Sequence, residues 1–196
     1  MSNDKKWQIL RSHLAFDHPW YKVRQDVVKL PNGQVIDDYF VSVRPDVALV
    51  LPITPQAEIV FVYQYRHGAQ AVLLELPAGT FDPHTEKAEV AALRELEEET
   101  GYTTDTLIPL STLYDNPVKE TNQIHLFLAK DVSQSTTQKL DVTEDIDVVR
   151  VPIAEIHERI RAREIQVAGT LAAIYLGLAY LNKGQGEGEK AKGGGA

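Results

Sequence analysis

The six residues from Arg94 to Glu99 hold five charged side chains: Arg94, Glu95, Glu97, Glu98 and Glu99. On a helix, at about 100° per residue, Glu95 and Glu99 stack one turn apart, Glu98 stands beside them and Glu97 points to the opposite side. Carboxylates so placed repel one another by roughly 0.2–0.5 kcal/mol per pair, and near a helix C-terminus the macrodipole adds to the cost. Local stability therefore does not account for the cluster. A hard divalent cation does, because Mg²⁺ takes oxygen ligands at about 2.0–2.1 Å, a few of them carboxylates and the rest water or phosphate oxygens. The competing account is a solvated acidic face, the commoner fate of a charge run.

The elements that would position this cluster follow from the flanking residues. Lys87 to Thr100 contains neither proline nor glycine and is rich in Ala, Leu and Glu, and Gly101 supplies a stop, so the segment predicts a helix. Upstream, the apolar-rich run Leu73 to Ala78 predicts a strand leading into a turn at Gly79. Glu86 lies eight residues before Arg94.

Together these positions resemble the signature of the Nudix hydrolase family, G-x5-E-x7-R-E-U-x-E-E-x-G-U with U aliphatic or aromatic. Gly79, Glu86, Arg94, Glu95, Leu96, Glu98, Glu99, Gly101 and Tyr102 occupy its fixed positions. One departure is visible: six residues rather than five separate Gly79 from Glu86. The extra residue falls in the Asp82–Pro83–His84 loop, where it is expected to alter the turn and not the acidic cluster. The resemblance implies an α/β (α+β) fold, an α/β/α sandwich around a mixed sheet. It also implies hydrolysis of a nucleoside diphosphate linked to another group. Carried over by position, Glu95, Glu98 and Glu99 would be metal ligands together with the backbone carbonyl of Ala78. Mg²⁺ would be the metal, with Mn²⁺ as a substitute. Arg94, paired with Glu86, would hold loop and helix in register.

The linked group is decided outside the signature. In the family's ADP-ribose pyrophosphatase branch a proline follows the second signature glycine by sixteen residues, and Pro117 stands there; Val118 and Asn122 depart from that branch's pattern. Arg66, which ends a strand just before the signature, is expected to contact phosphate, since a guanidinium matches phosphate oxygens in bidentate fashion. Members of the branch are usually homodimers in which an N-terminal aromatic stacks on adenine. Phe40 is the candidate, with Tyr39 and Trp20 as alternatives. A loop glutamate in that branch positions or deprotonates water; Glu144 fits, with Glu98 as the competing base. The expected reaction is ADP-ribose to AMP and ribose 5-phosphate. The alternatives are another nucleotide sugar or a dinucleotide, such as GDP-mannose or NADH, or a catalytically silent ADP-ribose sensor.

Along the rest of the chain, Lys22–Leu30 and Gln34–Arg44 flank Pro31–Asn32–Gly33 and predict a hairpin. Further strands are expected at Asp46–Thr54, Glu58–Arg66, Val72–Leu76, Leu107–Tyr114, Ile124–Ala129 and Ile146–Val151. Helices are expected from Pro152 to about Arg161 and over Ile165–Asn182. Asp131–Asp145 is a polar stretch long enough to be a lid or a disordered loop. The organisation expected is an N-terminal β-subdomain over residues 1–46 serving dimerisation and substrate contact, a hydrolase domain over 47–182, and a flexible Gly/Lys-rich tail over 183–196.

Composition narrows the class. The chain has 196 residues, 43% hydrophobic and 24% charged, as an ordinary globular protein does. Its net charge of −8 argues against a nucleic-acid binder, and half of that excess lies between Glu86 and Glu99. There is no cysteine, which excludes a thiol nucleophile and a zinc-thiolate centre and points to the reducing cytoplasm. The longest apolar stretch, Ile165–Leu181, contains Gln166, Gly169 and Thr170 and predicts a buried helix, so no membrane association is expected.

Overall fold

The computed structural model describes residues 5–192, those from 184 onward by their backbone alone. Twelve strands and three α-helices follow in chain order. They are β1 (Gln8–His18), β2 (Tyr21–Lys29), β3 (Val35–Val43), β4 (Asp46–Ile53), β5 (Glu58–Arg66), β6 (Ala71–Glu75), β7 (Ala78–Phe81), α1 (Ala88–Thr100), β8 (Tyr102–Thr103), β9 (Thr106–Tyr114), β10 (Gln123–Lys130), β11 (Ser133–Gln134), β12 (Ile146–Pro152), α2 (Ile156–Arg161) and α3 (Ala168–Lys192). The chain divides into two units, the N-terminal part to Pro45 with Tyr114–Gln123, and Asp46–Leu113 with the remainder from Ile124.

The first unit is an antiparallel sheet in the order β1-β2-β3. The predicted hairpin is β2–β3, turned at Asn32–Gly33, where Gly33 has φ +87°, a conformation only glycine adopts without strain. Asn32 secures the turn by accepting from the Gln34 N–H at 3.0 Å. The loop Tyr114–Gln123 folds with this sheet: Ser42 N–H donates to Lys119 O at 2.7 Å and Thr121 N–H to Ser42 O at 3.1 Å. β1 was not expected. Arg11, His13 and Asp17 interrupt its apolar residues and two bulges break its register, so it carries no clean alternation.

The second unit centres on a mixed sheet running β12-β5-β4-β10-β9, with β6 added to β5 and β7 to β4. β4 pairs parallel with β10 and antiparallel with β7. The run Val47–Ile53 is apolar throughout because both its faces are covered. Ala48 and Val50 join Ala91, Ala92 and Leu96 of α1 on one side, while Leu49 and Leu51 join Ile156 of α2 and Ala173 and Ile174 of α3 on the other. The result is a helix layer on each face of the sheet. α3 approaches β4 closely at Gly177, where a Cβ would lie 2.2 Å from Leu51 Cδ2. Among the described residues, no helix is long and apolar enough to cross a membrane.

Three expectations need correction. Gly79 lies within β7, a strand paired with β4, and not in a turn. The stretch Asp131–Asp145 is neither disordered nor wholly free, since β11 pairs with β8 and Val132 is buried. Residues 184–192, expected to be flexible tail, continue α3. Extending a formed helix is far easier than nucleating one, which offsets glycine's low propensity there. The last four residues of that tail lie outside the described residues.

Candidate functional site

α1 begins after Lys87 and ends at Gly101, whose φ of +74° makes the left-handed stop while its N–H donates to Glu97 O at 2.8 Å. The helix seats Ala91, Ala92 and Leu96 on the sheet, which fixes the direction of the residues beside them. Glu95 and Glu99 turn inward and are buried, Glu98 stands half-exposed beside them, and Glu97 is half-exposed and paired with Lys139. Gly79 makes room for this: a Cβ there would lie 1.9 Å from the carboxyl carbon of Glu95 and at most 2.3 Å from its oxygens. Gly79→Ala is therefore expected to push Glu95 out of place and lower kcat/KM by roughly 10²-fold, checked by steady-state kinetics beside a circular-dichroism melt.

Glu95, Glu98 and Glu99 open into a cavity of about 310 Å³ that Arg66, Ala78, Gly79, Asp141 and Glu144 also line. Glu99 is the most deeply placed. Burial pushes its carboxyl up to about 8; the nearby Glu95 and Glu144 push the same way, while a 2.9 Å bond from the Ala78 N–H and the charge of Arg66 pull it down. Glu95 is raised as well, chiefly by burial and against the pull of Arg94. Buried carboxylates that ionise with difficulty are poised to gain from a cation.

Arg94 ties the segment together. Its Nε and Nη2 each donate to Glu86 at 3.1 Å, and its Nη1 bonds Glu95 and, at 3.1 Å, Glu98. These bonds, those to Glu86 foremost, hold the guanidinium firmly protonated. Arg66 is aimed by Glu75, a buried carboxylate nine residues on, which accepts from Nε at 2.8 Å and from Nη2 at 2.6 Å. Lys139 is engaged with Glu97 at 3.1 Å.

An all-oxygen donor set with buried carboxylates suits a hard divalent cation and no soft metal. Among the described residues, no group of three or more acidic, histidine or cysteine side chains is already arranged around an ion position. Arg94 Nη1 bonds both Glu95 Oε1 and Glu98 Oε2, so a cation that used these two oxygens would have to displace the guanidinium from them.

The structure thus brings Ala78, Gly79, Arg94, Glu95, Glu98, Glu99, Arg66 and Glu144 to one cavity, with Glu86 reached through Arg94 and Gly101 ending the helix. Phe40 and Pro117 belong to the first unit and do not line this cavity. Phe40 is half exposed on β3 and Trp20 is almost fully exposed. Tyr39 packs edge-on against Trp7 and donates to Val118 O at 2.7 Å. Sequence reasoning assigned no part to Glu75, Asp141 or Gln138. Glu75 meets Arg66 only through the β5–β6 pairing, and the other two lie in the polar stretch, where no spacing rule applies.

Comparison with known proteins identifies the family. Residues 43–169 match the NUDIX domain, and residues 7–42 match the nucleoside diphosphate sugar hydrolase N-terminal domain. The chain is 35% identical over 148 residues to the ADP-ribose pyrophosphatase of Bacillus subtilis (strain 168), covering 75% of this chain and 79% of that protein. It is also 35% identical over 168 residues to the methanol dehydrogenase activator of Bacillus methanolicus, covering 85% and 90% respectively. A solved structure described as an ADP compounds hydrolase superposes with a TM-score of 0.82 at 24% identity, covering 95% of this chain and 99% of that one; this likeness concerns the fold.

Proposed function

The chain belongs to the NUDIX hydrolase family, and from that premise we propose that it is a Mg²⁺-dependent pyrophosphatase that splits ADP-ribose into AMP and ribose 5-phosphate. One observation carries the reading: Glu95, Glu98 and Glu99 meet Arg66 and Glu144 in a single cavity of a size to take a diphosphate and its cations. The family uses divalent cations; Mg²⁺ is favoured here by the hard, all-oxygen donors, with Mn²⁺ able to replace it. Cations bound there would neutralise the diphosphate and lower the pKa of a water.

The chain's own residues supply the rest. Arg66, oriented by Glu75, holds a phosphate oxygen through its free guanidinium edge. Glu144 accepts the proton of the attacking water, with Glu98 as the competing base. Water adds to one phosphorus, the bridging P–O bond breaks, and the departing phosphate leaves with the electron pair. Phe40 as the aromatic that stacks on adenine, and Pro117 as a substrate-side loop residue, are part of the same proposal. The test is a panel of ADP-ribose, GDP-mannose, NADH and a diadenosine polyphosphate. The highest kcat/KM is expected for ADP-ribose; binding without product release in Mg²⁺ would instead make the protein a sensor.

The first unit also supports a homodimer. Every residue of β1 is exposed, including Ile9, Leu14 and Phe16, so this edge strand leaves apolar surface that a second copy would cover. Light scattering is expected to give twice the chain mass, and Phe16→Asp to halve it. A cytoplasmic location is part of the proposal, and a chain without cysteine is compatible with that reducing compartment.

A further inference from the structure

We propose that Gln138 is a positioning residue that sets the reach of Glu144 into the cavity. The inference rests on the reading of Glu144 as the group that handles the attacking water. The C-terminus of α1 leaves carbonyls without helical partners, and a polar loop lies along them. Ser135 and Thr136 N–H donate to Gly101 O at 3.0 and 3.2 Å, and Lys139 N–H donates to Glu98 O at 2.8 Å. Gln138 does more. Its Nε2 donates to Glu99 O at 2.7 Å and also to Ile146 O at 3.1 Å.

That one amide therefore ties three places together: the helix turn that carries Glu98 and Glu99, the start of the exposed segment 140–145, and the first residue of β12 where that segment ends. Gln138 ties the far foot of this six-residue arch, at Ile146, to the backbone of α1, while the near foot is held there directly by the Lys139 N–H bond to Glu98 O. Glu144 sits in this arch, its N–H donating to Asp141 O at 2.9 Å and its Oε2 accepting from Asp141 N–H at 2.8 Å. The arch is braced internally and held to the site only at its feet. Removing the Gln138 donors leaves the Ile146 foot without its direct tie to α1, although Lys139 and the β12 pairing still hold each foot to its own element; a misplacement of Glu144 by about 1 Å is enough to slow the chemistry.

Gln138→Met keeps length and volume and removes both donors. It is expected to lower kcat about tenfold in Mg²⁺ and ADP-ribose, with KM within about twofold of wild type and a melting temperature lowered by only a few degrees, roughly what two lost part-buried hydrogen bonds cost. Gln138→Lys, which restores a donor at similar reach, is expected to recover most of kcat, and it serves as the test should the methionine variant not fold. The decisive comparison is with Glu144→Gln. If Gln138 acts through Glu144, the double variant Gln138→Met/Glu144→Gln is no slower than Glu144→Gln alone. Multiplying losses, or a Gln138→Met variant as fast as wild type, would overturn the inference while leaving the role of Glu144 intact. A fully active Glu144→Gln would refute that role, and this inference with it.

Discussion

Glu99→Gln is expected to lower kcat by about 10³-fold or more while leaving the fold intact. The amide keeps the volume of the carboxylate, and its oxygen still accepts from the Ala78 N–H, so the packing under α1 is preserved. What is lost is a negative oxygen at the deepest point of the cavity. Because burial already pushes the Glu99 carboxyl up to about 8, its ionised form costs the metal-free protein stability, and the neutral amide removes that cost. The variant should thus be inactive yet at least as heat-stable as wild type in EDTA at pH 8. Loss of activity through unfolding alone would show as a lowered melting temperature.

The second large effect is a coupling of pH, metal and stability. Glu99 is raised from about 4.5 in the unfolded chain to about 8 in the metal-free fold. A carboxyl raised in this way contributes stability that is fully present below the unfolded value and is lost as pH climbs through the folded one. The difference in melting temperature between Glu99→Gln and wild type in EDTA is therefore expected to be small near pH 5 and to widen in favour of the variant up to pH 8–9. Since a cation needs the ionised form, the apparent Mg²⁺ affinity of the wild type should rise by about tenfold per pH unit and level off near pH 8. Glu95, raised by burial as well, acts in the same direction. Calorimetric titrations at several pH values read this directly; an affinity flat between pH 6 and 8 would contradict it.

Much of this site could be read before any coordinates, for a physical reason. Its carboxylates sit on one continuous helix, where spacing alone decides which side chains share a face, so Glu95, Glu98 and Glu99 were separable from Glu97. Gly101 announced the helix end through the same left-handed geometry it adopts. The strands Asp46–Ile53 and Glu58–Arg66 were equally legible, because cores covered on both sides demand unbroken apolar runs. What escaped depends on contacts between segments distant in sequence. Gly79 reads as a turn residue until β7 is seen paired with β4, where its missing side chain admits the Glu95 carboxylate. Glu75 looks like one more strand residue until the β5–β6 register sets it beside Arg66. Gln138 lies in a polar stretch with no period at all, and only the folded chain places it between the Glu99 and Ile146 carbonyls.

Arg94 links the signature to the chemistry in a way spacing did not suggest. It braces the loop through Glu86, as the resemblance implied, and it also neutralises Glu95 and Glu98. Under the proposed function the same carboxylates would have two alternative cation partners, one built into the chain and one supplied from solution. Exchange between them would require the Arg94 guanidinium to move as a rigid plane, with Glu86 following if that pair is to be kept.

The most direct measurement is a crystal structure with Mn²⁺ and an ADP-ribose analogue whose bridging oxygen is replaced by methylene, read by anomalous scattering. The account predicts manganese peaks bonded to Glu95, Glu98 and Glu99, with the Arg94 guanidinium turned away from Glu95 and Glu98 and still paired with Glu86. An analogue bound with no manganese on these three carboxylates, and Arg94 still bridging them, would contradict it.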